Sequence, residues 1–109
     1  MTNQSGKKQE PRTTLVYKGE TYPFYITNRG RYDFENSGHS DEALRAGNTG
    51  SMLAQIYHQL RDCAKRASMQ FDDSFEDFID NSDRHIFDVF EKLLEAKKQM
   101  PQEDIEKKV

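Results

Sequence analysis

The clearest pattern in the sequence is a helical periodicity that runs from Thr49 to Ala67 without a proline. At about 100° per residue its apolar residues fall within one arc of roughly 140°. They are Met52, Leu53, Ile56, Tyr57, Leu60, Cys63, Ala64 and Ala67. The other side carries His58, Gln59, Arg61, Asp62, Lys65 and Arg66. The pattern predicts an amphipathic helix over 49–67, with Thr49 or Ser51 as its N-cap.

Residues 13–26 are rich in β-branched and aromatic residues, which favour strands. Lys18 and Gly19 separate two such runs, and a two-residue turn there pairs Tyr17 with Glu20. One face of this hairpin then carries Leu15, Tyr17, Tyr22, Phe24 and Ile26, and the other carries Val16 and Tyr25. Because an isolated hairpin is marginally stable in water, we expect its apolar face to pack on helices.

Capping signals and apolar spacing predict four further helices, over residues 27–36, 40–46, 74–80 and 84–98. Thr27 or Asn28 can cap the first of these, although Gly30 costs about 1 kcal/mol relative to alanine inside a helix. Ser40 and Ser74 are the expected N-caps of the two short helices. The predicted inward residues of the last two helices are Phe75, Phe78, Ile79, Ile86, Val89, Phe90 and Leu93.

These elements predict an α+β fold, mainly α, in which the N-terminal hairpin packs on a compact bundle of four to five helices. The single domain covers residues 13–98. Residues 1–12 and 99–109 are poor in apolar residues and are expected to be a disordered tail and a flexible tail, respectively.

Composition narrows the possible functions of the chain. A net charge of −3 argues against a general nucleic-acid binder, and one cysteine excludes an internal disulfide and a cysteine-based zinc site. His39, His58 and His85 lack metal-ligand spacing, and the aspartate-rich stretch 72–83 lacks the central glycine of a calcium-binding loop. We therefore expect no enzyme activity, metal or cofactor. No signal peptide or membrane span is predicted.

The last helix carries an apolar arc wider than packing on one neighbouring helix requires. Phe87 and Leu94 lie at its flank, and leftover apolar surface is typical of a binding patch. With Phe90 and Tyr57 they form the candidate protein-binding set. The other interpretation, left open by the sequence, is that the hairpin covers Phe87 and Leu94.

The order of elements resembles the short form of the tail assembly chaperones of long-tailed bacteriophages and prophages. The segments that carry the resemblance, between about Thr14 and Lys97, are LVYKGETYPFYI, ITNRGRYDFEN, SMLAQIYHQLRDCAKR, FDDSFEDFIDNSD and HIFDVFEKLLEA. The longer loop Gly38–Asn48 departs from the most compact members of that family.

The resemblance implies a non-enzymatic protein that holds the tape measure protein soluble and recruits tail tube protein. It also implies a location in the cytoplasm of the bacterial host and absence from the mature virion. We expect no nucleic-acid or membrane partner, and homo-oligomers are possible. The alternative hypothesis is a small helical adaptor or regulator of phage origin, unrelated to tail assembly, that binds another protein.

Overall fold

The computed structural model describes residues 11–98 as an N-terminal hairpin followed by five helices. The elements are β1 (Arg12–Tyr17), β2 (Glu20–Tyr25), α1 (Asn28–Asn36), α2 (Asp41–Arg45), α3 (Thr49–Arg66), α4 (Phe75–Asn81) and α5 (His85–Lys98). This confirms the predicted α+β, mainly α class. The first strand begins at Arg12, one residue before the predicted hairpin. The remainder of both predicted tails, 1–10 and 99–109, lies outside the described residues.

The hairpin has the predicted antiparallel register, in which Tyr17 pairs with Glu20 and Leu15 with Tyr22. Both turn residues have positive φ, 53° at Lys18 and 80° at Gly19. Positive φ at both central residues is the geometry of a type I′ turn, whose twist matches that of the flanking strands. The turn therefore determines which side chains share a face.

The apolar face of the hairpin packs against α3, as predicted from the alternation of its side chains. Its fully or almost fully buried members are Leu15, Tyr17, Tyr22 and Phe24, and Ile26 is half-buried against them. On the outer face Val16 is 44% exposed. Burying this face supplies the packing that an isolated two-stranded sheet lacks.

Helix α3 lies at the centre of the fold, in contact with the hairpin and with the other four helices. Ile56, Leu60, Cys63 and Ala64 of its apolar arc are buried, as expected. The N-cap prediction was wrong, because the cap is Asn48. Its side chain accepts a hydrogen bond from the backbone N–H of Ser51 at 2.9 Å.

Part of the polar side of α3 is also buried, which its amphipathic pattern did not predict. Gln59 is 0% exposed, and Gln55 and Asp62 are buried beside it. The cause is α1, which packs on this side of α3. The N–H of Thr27 donates to Oε1 of Gln59 at 2.8 Å, and Nε2 of Gln59 donates to the Thr27 carbonyl at 3.2 Å.

Thr27 extends this contact into a buried polar network. Its hydroxyl donates to Oδ2 of Asp62 at 2.7 Å and accepts from the Gly30 N–H at 2.9 Å, which makes Thr27 the N-cap of α1. Arg66 donates to the same Asp62 oxygen at 2.7 Å. A buried polar side chain is tolerated when its hydrogen bonds are made inside the protein. The network therefore joins the start of α1 to the middle and end of α3.

Gly30 is the point of closest approach between α1 and α3. A Cβ atom at this position would lie 2.2 Å from Oε1 and 2.4 Å from Cδ of Gln59. Atoms cannot approach so closely, so a side chain here would displace Gln59. The glycine that weakens the helix signal in the sequence is what allows α1 to pack on α3.

Helices α4 and α5 close the opposite side of the core. Ser74 caps α4 as predicted, and Phe78 is fully buried against the rings of Tyr17 and Tyr57. The prediction that Ile79 points inward was wrong, because this residue is 36% exposed. Phe78, its neighbour in the chain, is the α4 residue that points at the core. In α5, Ile86, Phe90 and Leu93 are buried, whereas Val89 is only half-buried.

Candidate functional site

An apolar groove lies between α2, the first turns of α3 and the second half of α5. Its apolar lining comes from all three helices, and consists of Leu44, Met52, Phe90 and Leu94. The cavity volume is about 680 Å³, within the range of about 300–1,000 Å³ typical of binding sites in proteins. Leu44, Met52 and Leu94 are half-buried, so their apolar surface remains accessible to a partner.

The groove contains two of the four residues predicted for protein binding. Leu94 lies on its α5 wall, and Phe90 forms part of its floor but is only 1% exposed. Phe87 is half-buried against the core and does not line this groove. Leu94 is therefore the member of the predicted set that is both accessible and part of a concave surface.

Tyr57, which was predicted to bind a partner, is a core residue and is not accessible at the surface. It is 5% exposed, and its ring packs against Phe71, Phe75 and Phe78. Its hydroxyl donates to the backbone carbonyl of Asp73 at 2.8 Å. Burial of this tyrosine raises its pKa above the usual value. The residue joins α3 to α4 and to the segment before it.

Two residues of the groove, Leu44 and Met52, were not identified from the sequence as a site. Leu44 belongs to α2, a five-residue helix that buries no residue completely. Met52 lies in the first turns of the apolar arc of α3 and looks like any core position. The available signal was Leu44 itself, an apolar residue in a short helix between two polar loops. Sequence periodicity alone does not show whether such a residue packs in the core or lines a binding groove.

Charged side chains also line the groove, and we call them its rim. The cations are Arg31, Arg45, Lys97 and Lys98, and the acids are Asp41 and Glu91. Arg31 donates to Asp41 at 2.9 Å and lies 3.9 Å from Glu35, so its charge is largely compensated within the protein. A smaller cavity of about 420 Å³ shares Arg31 and Lys97 with the groove and extends it to Ile26 and Asn28.

The described residues include one cysteine, Cys63, which is fully buried. Burial raises the pKa of the Cys63 thiol to about 11, and the thiol donates to the Tyr25 carbonyl at 3.3 Å. A buried thiol with a raised pKa is expected to react slowly at neutral pH. Within residues 11–98 no group of three or more histidine, cysteine, aspartate or glutamate side chains is arranged to hold a metal ion.

His58 was predicted on the polar surface of α3, but it is half-buried. Burial lowers its pKa, and nearby Arg61 and His39 act in the same direction while Asp33 opposes them. Its Nδ1 atom is buried without a hydrogen-bond partner among the described residues. His39 lies in the loop after α1, where its ring stacks on the Phe34 ring and its Nδ1 is 3.1 Å from the Ser51 hydroxyl of α3.

Comparisons of the chain with models of known protein families, with curated proteins and with solved structures found no match. None of the helices in the described part of the chain is long and apolar enough to cross a bilayer. The groove is therefore interpreted from its own geometry and chemistry.

Proposed function

We propose that this protein is a non-enzymatic chaperone of phage or prophage tail assembly. In this proposal it binds the tape measure protein in the cytoplasm of the bacterial host, assists assembly of tail tube protein and is absent from the finished virion. The observation that carries the proposal is the open apolar groove between α2, α3 and α5. It adds a physical binding surface to the resemblance in element order described above.

The groove suits a helical partner better than a small substrate. Its apolar lining residues come from three helices, and most of its other lining residues are the charged groups of the rim. An amphipathic helix binds such a groove through apolar side chains spaced at i, i+3, i+4 and i+7. A tape measure protein is a long helical chain, so its apolar stripe needs to be shielded from water until the tail assembles.

Co-expression with the tape measure protein of the same genome tests the proposal directly. We expect the soluble fraction of the tape measure protein to rise several-fold when this chain is present. Leu94→Asp places a charge in the groove and should remove most of that gain. Ile79→Asp is the matched control, because Ile79 is an exposed apolar residue on α4 that does not line the groove.

Circular dichroism of both variants must show the helical content of the parent protein. The proposal fails if the tape measure protein is no more soluble with this chain than without it. It also fails if both aspartate variants retain the full effect, because the groove would then not be the binding surface.

A further inference from the structure

We infer that the groove selects an amphipathic helix whose apolar stripe is flanked by acidic residues. This inference rests on the proposed role of the groove as a protein-binding surface and specifies the chemistry of the segment that it binds.

Among the described residues, the floor of the groove presents apolar side chains, and none of the polar residues that line the groove is buried. Leu44, Met52 and Leu94 stand around the almost fully buried Phe90. A partner gains affinity here by burying apolar side chains, because removing apolar surface from water is favourable. The floor therefore favours an apolar stripe but does not discriminate between stripes of similar size.

Discrimination comes from the rim, whose charge is opposite to that of the whole chain. Within residues 11–98, four cations and two acids line the groove, so these six side chains have a formal net charge of +2. The chain as a whole has a net charge of −3. Charge complementarity at the rim of an interface governs which partner is accepted and how fast it associates. A partner with acidic flanks matches this rim, and a partner with basic flanks is repelled.

Two of the rim cations are available to a partner. Within residues 11–98, Arg45 and Lys98 form no ion pair. Arg45 is in the last turn of α2 and Lys98 is in the last turn of α5. The two side chains thus belong to different walls, where they can contact the acidic residues that flank an apolar stripe. Basic residues in a last helical turn also stabilise the helix itself, so a binding experiment has to separate the two roles.

Two designed peptides provide the probe. Both have the same leucines at i, i+3, i+4 and i+7, and one carries glutamates at the flanking positions where the other carries lysines. Their affinity for the full-length chain is measured by fluorescence anisotropy. We expect the acidic peptide to bind at least ~10-fold more tightly, since its glutamates can pair with the two available rim cations, which repel the lysines of the other peptide. The preference should shrink as salt shortens the Debye length.

Charge reversal at the rim is the decisive variant. Arg45→Glu with Lys98→Glu should abolish or invert the preference for the acidic peptide. The matched control is Lys65→Glu with Lys92→Glu, which changes the net charge by the same amount at exposed positions that do not line the groove. Leu94→Asp should weaken the binding of both peptides. Circular dichroism shows whether loss of the helix-terminal cations has altered the fold.

The inference is overturned if the two peptides bind equally, or if the control pair of substitutions changes the preference as much as the rim pair. It is also overturned if sedimentation shows that the chain associates with itself through the groove, in a way that Leu94→Asp abolishes. The occupant would then be a second copy of the chain.

The results separate this inference from the proposed function. If the acidic peptide is preferred but the tape measure protein is not kept soluble, only the proposed function fails. If the tape measure protein is kept soluble equally well by the parent and by the Arg45→Glu, Lys98→Glu variant, and the peptides bind equally, only this inference fails.

Discussion

Replacing Gly30 with alanine should destabilise this protein, although the same change in a helix usually stabilises it. An alanine inside a helix is favoured over glycine by about 1 kcal/mol. At Gly30, however, the added Cβ atom would lie 2.2 Å from Oε1 of Gln59 and 2.8 Å from its Nε2. Gln59 is completely buried, so its side chain cannot move aside into solvent without rearrangement of its neighbours. Its amide group is also hydrogen-bonded to the backbone of Thr27.

The expected magnitude follows from three contributions. Overpacking a filled interior costs about 1–3 kcal/mol. Displacing Gln59 leaves the buried N–H of Thr27 without a partner, at about 1–3 kcal/mol. The Thr27 carbonyl keeps its hydrogen bond from the Arg31 N–H. The higher helix propensity of alanine offsets about 1 kcal/mol of this loss of stability. The free energy of unfolding of Gly30→Ala should therefore fall by roughly 3 kcal/mol, which for a domain of this size lowers the Tm by about 15 °C.

Urea and thermal unfolding followed by circular dichroism measure this change. Gly50→Ala is a matched control, since Gly50 is also in a helix and its added Cβ atom would lie 3.3 Å from Asn48 Oδ1. We expect its stability to change by no more than about 1 kcal/mol. A double-mutant cycle with Gln59→Ala tests the stated cause.

Once Gln59 is shortened, alanine at position 30 has space, and Gly30→Ala should become neutral or stabilising. A coupling of at least about 2 kcal/mol between the two positions is expected. The reasoning is refuted if Gly30→Ala stabilises the parent protein, or if its effect on stability is the same with and without the Gln59 side chain.

Two further predictions concern buried ionisable groups. Because Cys63 is fully buried with a pKa of about 11, a thiol reagent at pH 8 should label it far more slowly in the native protein than in urea; equal rates would contradict its burial. Because burial lowers the pKa of His58 below 6.5, the unfolded chain binds more protons, and stability should fall as the pH decreases through 6.5 toward the pKa of the folded protein. Urea unfolding midpoints measured at several pH values check this prediction, and His58→Gln should reduce the dependence of the midpoint on pH. If the substitution leaves that dependence unchanged, other groups cause it.

The elements that could be predicted from the sequence are those determined by neighbouring residues. The Lys18-Gly19 turn sets the register of the hairpin, and Ser40 and Ser74 accept the hydrogen bonds of their own helices three residues on. These interactions are local, so the residue types reveal them. The apolar periodicity of α3 likewise identified the face that forms most of the core.

The burial of Gln59 and Asp62 on the polar side of α3 could not be predicted from the sequence, because α1, which covers them, comes from a distant part of the chain. A glutamine on a helix has the same pattern whether it faces water or, like Gln59, pairs with a threonine 32 residues earlier. Gly30 likewise reads as a weak point of a helix until its close contact with Gln59 is known. Hydrophobic patterning records the preference of each side chain for water, and does not record which element supplies its hydrogen bonds.

The candidate site shows the same division. The excess of apolar residues on the last helix was visible in the sequence, and it led to Leu94. The groove itself required Leu44 of α2 and Met52 of α3 to be brought beside Leu94, with Arg45 and Lys98 at the rim. Local sequence determined the elements and their apolar faces, since capping, turns and periodicity act over a few residues. Tertiary packing alone decided which surfaces meet and which stay open, because that choice depends on contacts between residues far apart in the chain.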